Sequence, residues 1–250
     1  MNLIEKKTRI TNMLRQWNQD RWNKTEALDL LSSGAYYSIS PKDVQMWINS
    51  PIKPERIHSY IGVENHKLYF ILIDSETDKK PLSEMTDLEL DKIIIKKFDN
   101  NLDIFTPNFI SKTIDGNVSV TNALIRNFCW QLMKGSWVED QIESVRDMQV
   151  GIARVFSSPF SDLEEIHKAE TNTDIIAVMG LKHIDTANTE TIYDEKSPFQ
   201  LDLCFWSLED QDKFKLLNFK SSEDDAPVED LTLICPPYEE RNDKFSLIFP

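Results

Sequence analysis

The chain has 250 residues, 40% of them hydrophobic and 10% aromatic, enough apolar material for one large domain or two of ordinary size. A formal net charge of −14 and a pI of about 4.8 disfavour nucleic-acid binding by the molecule as a whole, because phosphates must be neutralised by Lys and Arg. Only six glycines occur (Gly34, Gly62, Gly116, Gly135, Gly151 and Gly180), and no two are close enough to cradle a phosphate, so the common Gly-rich nucleotide loops are excluded.

The first 25 residues are basic: six Lys and Arg, including Lys6, Lys7 and Arg9, oppose Glu5 and Asp20, a net of +4. Ile10, Met13, Leu14 and Trp17 recur at helical spacing and predict an amphipathic helix. A second, short helix is expected from Thr25 to Ser33, with Gly34 as its C-cap. Ser40-Pro41 then reads as an N-cap followed by the first helical position, with Asp43 in the first turn and Val44, Trp47 and Ile48 on one face. Alternating Ile57, Ser59, Ile61 and Val63 predict a strand, turning at Glu64–Lys67 into a second strand, Leu68–Ile73. The polar run Asp74–Asp78 offers carboxylates to a cation but lacks the glycine and distal Glu of a calcium loop. Ile93–Phe98 fits a third strand, or a helix through Leu88, Asp91, Ile95 and Phe98.

Residues 99–119 form a connection containing the turn pair Asp115-Gly116. Val120-Thr-Asn-Ala-Leu124 then resembles Ile10-Thr-Asn-Met-Leu14 and opens a helix bearing Leu124, Phe128 and Leu132, with a break expected at Gly135. A further helix is expected from about Trp137, with Val138, Ile142, Val145, Met148, Ile152 and Val155 on one face. Ser158-Pro159 repeats the capping signal, with Leu163, Glu164 and Ile166 behind it. Strands follow at Ile175–Leu181, Gln200–Trp206 and Leu231–Cys235, the first two separated by a long loop over 182–199 of the kind that is often functional. Ser221–Asp225 reads as a solvated acidic loop, and residues 201–250 carry twelve acids against five bases, a net of −7.

The two halves carry the same signals in the same order. Each Ser-Pro is followed, 21 residues after its proline, by a glycine, Gly62 or Gly180, at a constant offset of 118. Identity is low, five matches in the 25 pairs from Ser40 to Glu64, so the agreement of capping and strand signals carries the comparison. The expected fold class is α+β, a tandem duplication of a unit of two or three helices followed by a small antiparallel sheet. The first repeat spans residues 1–105, a connector 106–120, and the second repeat 121–250.

No catalytic motif is present: there is no Gly-x-Ser-x-Gly elbow, no His-Glu-x-x-His and no Walker loop. Cys129, Cys204 and Cys235 are far apart, set in apolar surroundings and without zinc spacing, so buried free thiols, no metal and no cofactor are expected. His66 and His183 each lie just past their glycine at the mouth of a hairpin. Packing of the halves about a twofold axis would face them, with Gly62 and Gly180, into one candidate cleft. Either glycine equally fits a strand crossed closely by a helix. Trp22 and Trp137, beside polar neighbours, are candidates for a partner surface together with Lys6, Lys7 and Arg9. The basic head and acidic tail could attract each other within or between chains.

The N-terminal Met-Asn-Leu-Ile-Glu-Lys-Lys lacks the apolar stretch of a signal peptide and no run reaches membrane-spanning length, so a cytoplasmic protein without membrane insertion is expected. These features favour a non-enzymatic interaction or assembly protein, such as a subunit of a virion or secretion apparatus, that self-associates or binds a protein partner. The alternatives are an enzyme with its site near His66 and His183, and an acidic, immunity-type inhibitor of a basic partner.

Overall fold

The computed structural model describes residues 3–100, 120–143, 152–169, 171–183, 199–207, 233–235 and 245–247. Helix α1 (Leu3–Asp20) buries the expected stripe Ile10, Met13, Leu14 and Trp17. Helix α2 (Lys24–Ser32) starts at Asn23, whose side chain accepts from the backbone N–H groups of Thr25 and Glu26. It ends at Ser33 in the right-handed helical region, so Gly34 does not supply a left-handed cap. The glycine is required by Phe98: a Cβ at position 34 would lie 2.5 Å from the Phe98 ring and 2.7 Å from its backbone.

A strand that the sequence reading did not anticipate, β1 (Tyr36–Ile39), leads into α3 (Pro41–Ile48). The predicted cap is present as a reciprocal box, in which Ser40 Oγ accepts from the Asp43 N–H while the Asp43 carboxylate accepts from the Ser40 N–H. Strands β2 (Arg56–Glu64) and β3 (Lys67–Asp74) form a hairpin, closed by Asn65 and His66 at φ of 52° and 54°. Two consecutive left-handed residues are what a tight two-residue hairpin turn demands. Two single 3₁₀ turns and the short helix α4 (Asp87–Asp91) lead to β4 (Ile94–Lys97). The ambiguity there resolves into both elements: Leu88 and Asp91 fall in α4, and Ile94–Lys97 is a strand paired with β3, Ile95 opposite Ile71.

Helix α5 (Val120–Glu143) runs unbroken through Gly135, contrary to the expected break. The chain then forms β5 (Val155–Pro159), α6 (Phe160–Ala169), β6 (Ile175–His183), β7 (Phe199–Ser207) and β8 (Leu233–Cys235). Val155, expected on a helical face, lies in β5. Ser158 does not cap α6 either, because β5 continues through Ser158 and Pro159, paired with Ile57 and Arg56. The helix therefore starts beyond it, and the buried Ser158 hydroxyl has no hydrogen-bond partner among the described residues.

The fold is α+β with two antiparallel sheets, ordered β4-β3-β2-β5-β8 and β1-β6-β7. The two hairpins exchange strands: β1 pairs with β6 (Tyr36 opposite Val178), and β5 pairs with β2 (Phe156 opposite Ser59). Residues before position 100 and after position 120 therefore share both sheets. They also share the main core, where Trp17, Tyr37, Trp47 and Phe70 join Trp130, Phe156, Phe160 and Met179. The 106–120 connector lies outside the described residues except for Val120, which begins α5.

Each hairpin is crossed by a helix at its glycine. A Cβ on Gly62 would lie 3.0 Å from Met13 Cβ on α1, and one on Gly180 would lie 2.9 Å from Arg126 Cβ on α5. These glycines admit the close approach of a helix. Among the described residues, no helix is long and apolar enough to cross a membrane.

Candidate functional site

His66 lies at the β2–β3 turn, beside a groove of about 630 Å³ that runs along α1 and is also lined by Arg9, Asn12, Gln16, Asp20 and Glu64. His183 ends β6 in the other sheet, its ring 5.5 Å from that of Phe199. It is not among the residues lining the His66 groove, and no hydrogen bond or ring contact joins the two histidines. Gly62 and Gly180 lie beneath α1 and α5. The loop between β6 and β7 lies outside the described residues.

Three basic residues of α1, Lys6, Lys7 and Arg9, are engaged within the chain. Lys6 Nζ donates to the Leu90 carbonyl at 2.5 Å, and Lys7 Nζ to that of Ser83 at 2.9 Å. Arg9 makes a two-pronged contact with Glu64, at 2.8 and 2.7 Å, whose hydrogen bonds hold the Glu64 carboxyl below its ordinary value. Burial lowers the Lys6 pKa, against a weaker opposing pull from Asp91. Lys6 and Arg9 thus fix α1 to the body of the fold instead of standing free for an acidic tail. Most of that tail lies outside the described residues.

Trp137 is buried, its indole N–H donating to the Phe199 carbonyl at 2.9 Å and its ring meeting Trp130 edge-on at 5.9 Å. Its polar sequence neighbours concealed a core position, and it drops out as a partner contact. Trp22 is exposed, with the Arg21 guanidinium 4.4 Å above its ring.

The sequence reading missed a buried polar cluster. His58 Nδ1 lies 2.6 Å from Asp78 Oδ2, and the Tyr60 hydroxyl donates to the same oxygen at 2.5 Å. The other carboxylate oxygen accepts from the Ser246 N–H and hydroxyl at 3.2 and 2.6 Å. The Phe245 ring lies 4.8 Å from that of His58, tilted by 54°, and Leu247 is fully buried beside α1. Asp74 is occupied in turn by the Thr77 N–H and hydroxyl. The run Asp74–Asp78 therefore builds a turn and anchors residues 245–247 rather than presenting carboxylates to a cation. His58 Nε2 is buried without a hydrogen-bond partner, so among the described residues no nucleophile is aligned with this His–Asp pair. No group of three or more His, Cys, Asp or Glu side chains suited to a metal ion occurs among the described residues.

A second unanticipated feature is the outer face of α5. Its inner face buries Ala123, Trp130, Trp137 and Val138, and Asn127 donates to the Met179 carbonyl at 2.8 Å. Arg126 pairs with the buried Asp202 at 2.6 Å. On the opposite side Ile125, Phe128 and Leu132 are 53, 63 and 69% exposed. Their spacing of three and four residues makes one continuous stripe. Phe128 and Leu132 had been visible as periodic apolar positions, but periodicity does not say whether the surface covering such a stripe belongs to the same molecule.

No protein-family model, curated protein or solved structure matches this chain.

Proposed function

We propose that this chain is a non-enzymatic interaction or assembly protein, built on a duplicated unit, which binds another polypeptide through the outer face of α5. The observation that carries this reading is the stripe Ile125, Phe128 and Leu132, three large apolar side chains exposed together on one helix. Isolated exposed hydrophobics are ordinary, whereas a contiguous stripe on an otherwise well-anchored helix marks a contact surface. The polar His58–Asp78 cluster, by contrast, is closed and engaged in holding the chain together.

Two features support the duplication. The order strand, helix, hairpin occurs as β1-α3-β2-β3 and again as β5-α6-β6-β7. In both, a preceding long helix crosses the hairpin's first strand at a glycine. Cys129 and Cys204, present as thiols, fit a reducing, cytoplasmic setting.

The test is affinity capture from native lysate with the wild type and with Phe128→Glu. Because Phe128 points to solvent, the variant should keep its thermal midpoint and lose captured protein. An unchanged set of captured proteins would refute the reading.

A further inference from the structure

We infer that the occupant of the α5 stripe is the α5 of a second copy of this chain, packed antiparallel about a twofold axis that crosses the outer face at the level of residue 130. The inference rests on the interaction reading above and deepens it.

Gly135 supplies the first argument. Gly34, Gly62 and Gly180 each have a neighbour that would collide with a Cβ, whereas at Gly135 none of the described residues comes within 4 Å. The fold therefore does not require glycine there, and mid-helix glycine is unfavourable. Gly135 continues the stripe, since positions 125, 128, 132 and 135 alternate steps of three and four residues along one helical seam. Large side chains at three positions and a gap at the fourth form a self-complementary surface when reversed. Antiparallel pairing centred at residue 130 sets Ile125 of one copy over Gly135 of the other, and Phe128 over Leu132.

Charge supplies the second argument. Between residues 122 and 136 the stripe is flanked by Asn122, Cys129, Gln131 and Ser136, none of them charged, in a molecule of net charge −14, and Glu139, the next position of the seam, is neutralised by Lys24 of its own chain at 2.6 Å. Most like-charged surfaces of two copies would repel, and this one does not. The last turn of α5 carries Asp140 and Glu143 with no base, and its first turn carries no acid. Both ends are unfavourable or neutral toward the helix dipole of their own chain. An antiparallel copy brings the acidic end of each helix alongside the positive end of the other.

The area is also sufficient for a weak, specific contact. Six side chains, each more than half exposed, remove on the order of 800 Å² from water, and the flanking polar residues bring the total to about the 1,000 Å² at which specific interfaces begin.

The test uses the full chain in a Cys129→Ser background. Sedimentation equilibrium should give a reversible monomer–dimer system, weakened about tenfold or more by Phe128→Glu and by Gly135→Leu. The Cβ of Gly135→Leu has open space around it and leucine favours a helix over glycine, so its thermal midpoint should not fall. Mild oxidation of a mixture of Ile125→Cys and Gly135→Cys chains should give the mixed disulfide in preference to either symmetrical one. Dimers that cross-link mainly through paired Ile125→Cys chains would overturn the antiparallel arrangement. A wild type monomeric at all concentrations would overturn the second copy as occupant. In that case, a lysate partner lost in Phe128→Glu would leave the interaction reading standing, and no such partner would remove both.

Discussion

His58 on β2 and Asp78 on the 3₁₀ turn after β3 are held 2.6 Å apart with both side chains closed to solvent. The same carboxylate also accepts from Tyr60 and twice from Ser246, so one acid gathers a strand, a turn and residues 245–247. Asp78→Ala would leave buried donors without an acceptor, a change that costs about 3–5 kcal/mol when a buried polar tie is broken from one side. Tyr60→Phe removes a single donor and should cost about 1–2 kcal/mol. Urea unfolding followed by far-UV circular dichroism should rank the two variants in that order. Equal midpoints would show that the carboxylate is not the centre of the cluster.

The two Ser-Pro pairs should respond to mutation with different signs. Ser40→Ala removes a formed capping box and should cost about 1 kcal/mol. Ser158→Ala removes a buried hydroxyl that has no partner, so it should be neutral or stabilising. Thermal midpoints of the single variants decide the matter, and equal losses at both positions would contradict the assigned geometry.

The parts of the fold that the sequence revealed are those governed by local periodicity, the α1 stripe and both hairpins; of the two expected third strands, β4 joins the first hairpin, but β8 pairs with β5 in the larger sheet and the second hairpin takes β1 instead. Strand β1 was hidden because it has four residues and its partner Val178 lies far along the chain. Ser158 misled because the N-cap signal is identical whether the preceding backbone enters a helix or completes a strand. Lys6 and Lys7 looked free because carbonyl acceptors 84 and 76 residues away leave no trace in composition. The same distance hid the polar cluster, whose Ser246 lies 168 residues from Asp78. The α5 face was half legible, as apolar spacing at Phe128 and Leu132, while the exposure that makes it a candidate surface exists only in three dimensions.

The glycines give a graded series. Gly34→Ala should be the most damaging, because the new methyl would meet Phe98 backbone at 2.7 Å, which cannot swing away. Gly62→Ala and Gly180→Ala force small shifts of α1 and α5 and should cost about 1–3 kcal/mol. Gly135→Ala should stabilise the monomer by up to about 1 kcal/mol, since alanine favours the helix and nothing obstructs it. Chemical denaturation at low protein concentration, where self-association does not contribute, should show this change of sign within the series.

Acid should destabilise the protein through carboxylates held in ion pairs. Burial opposes ionisation of Asp43, but the Lys96 ammonium at 2.6 Å and the Ser40 N–H and hydroxyl override it and lower its pKa. Glu64 is lowered chiefly by Arg9, Glu164 by Lys53, and Glu89 is brought to about 2 by Lys80 and Thr86. A carboxyl whose folded pKa lies below its unfolded value contributes stability that is fully present above the unfolded value, near 4. That stability is lost as pH falls through the folded value, because the unfolded chain takes up the proton first. Urea midpoints should therefore hold steady from pH 7 to about 5 and then decline. Lys96→Met provides the specific control. It should lower stability at pH 7 by about 1 kcal/mol, as expected for a partly exposed pair. It should also make the acid decline shallower, because Asp43 then has less depression to lose. Parallel declines in the two proteins would assign the acid sensitivity to other carboxylates and remove the Asp43–Lys96 pair from the account.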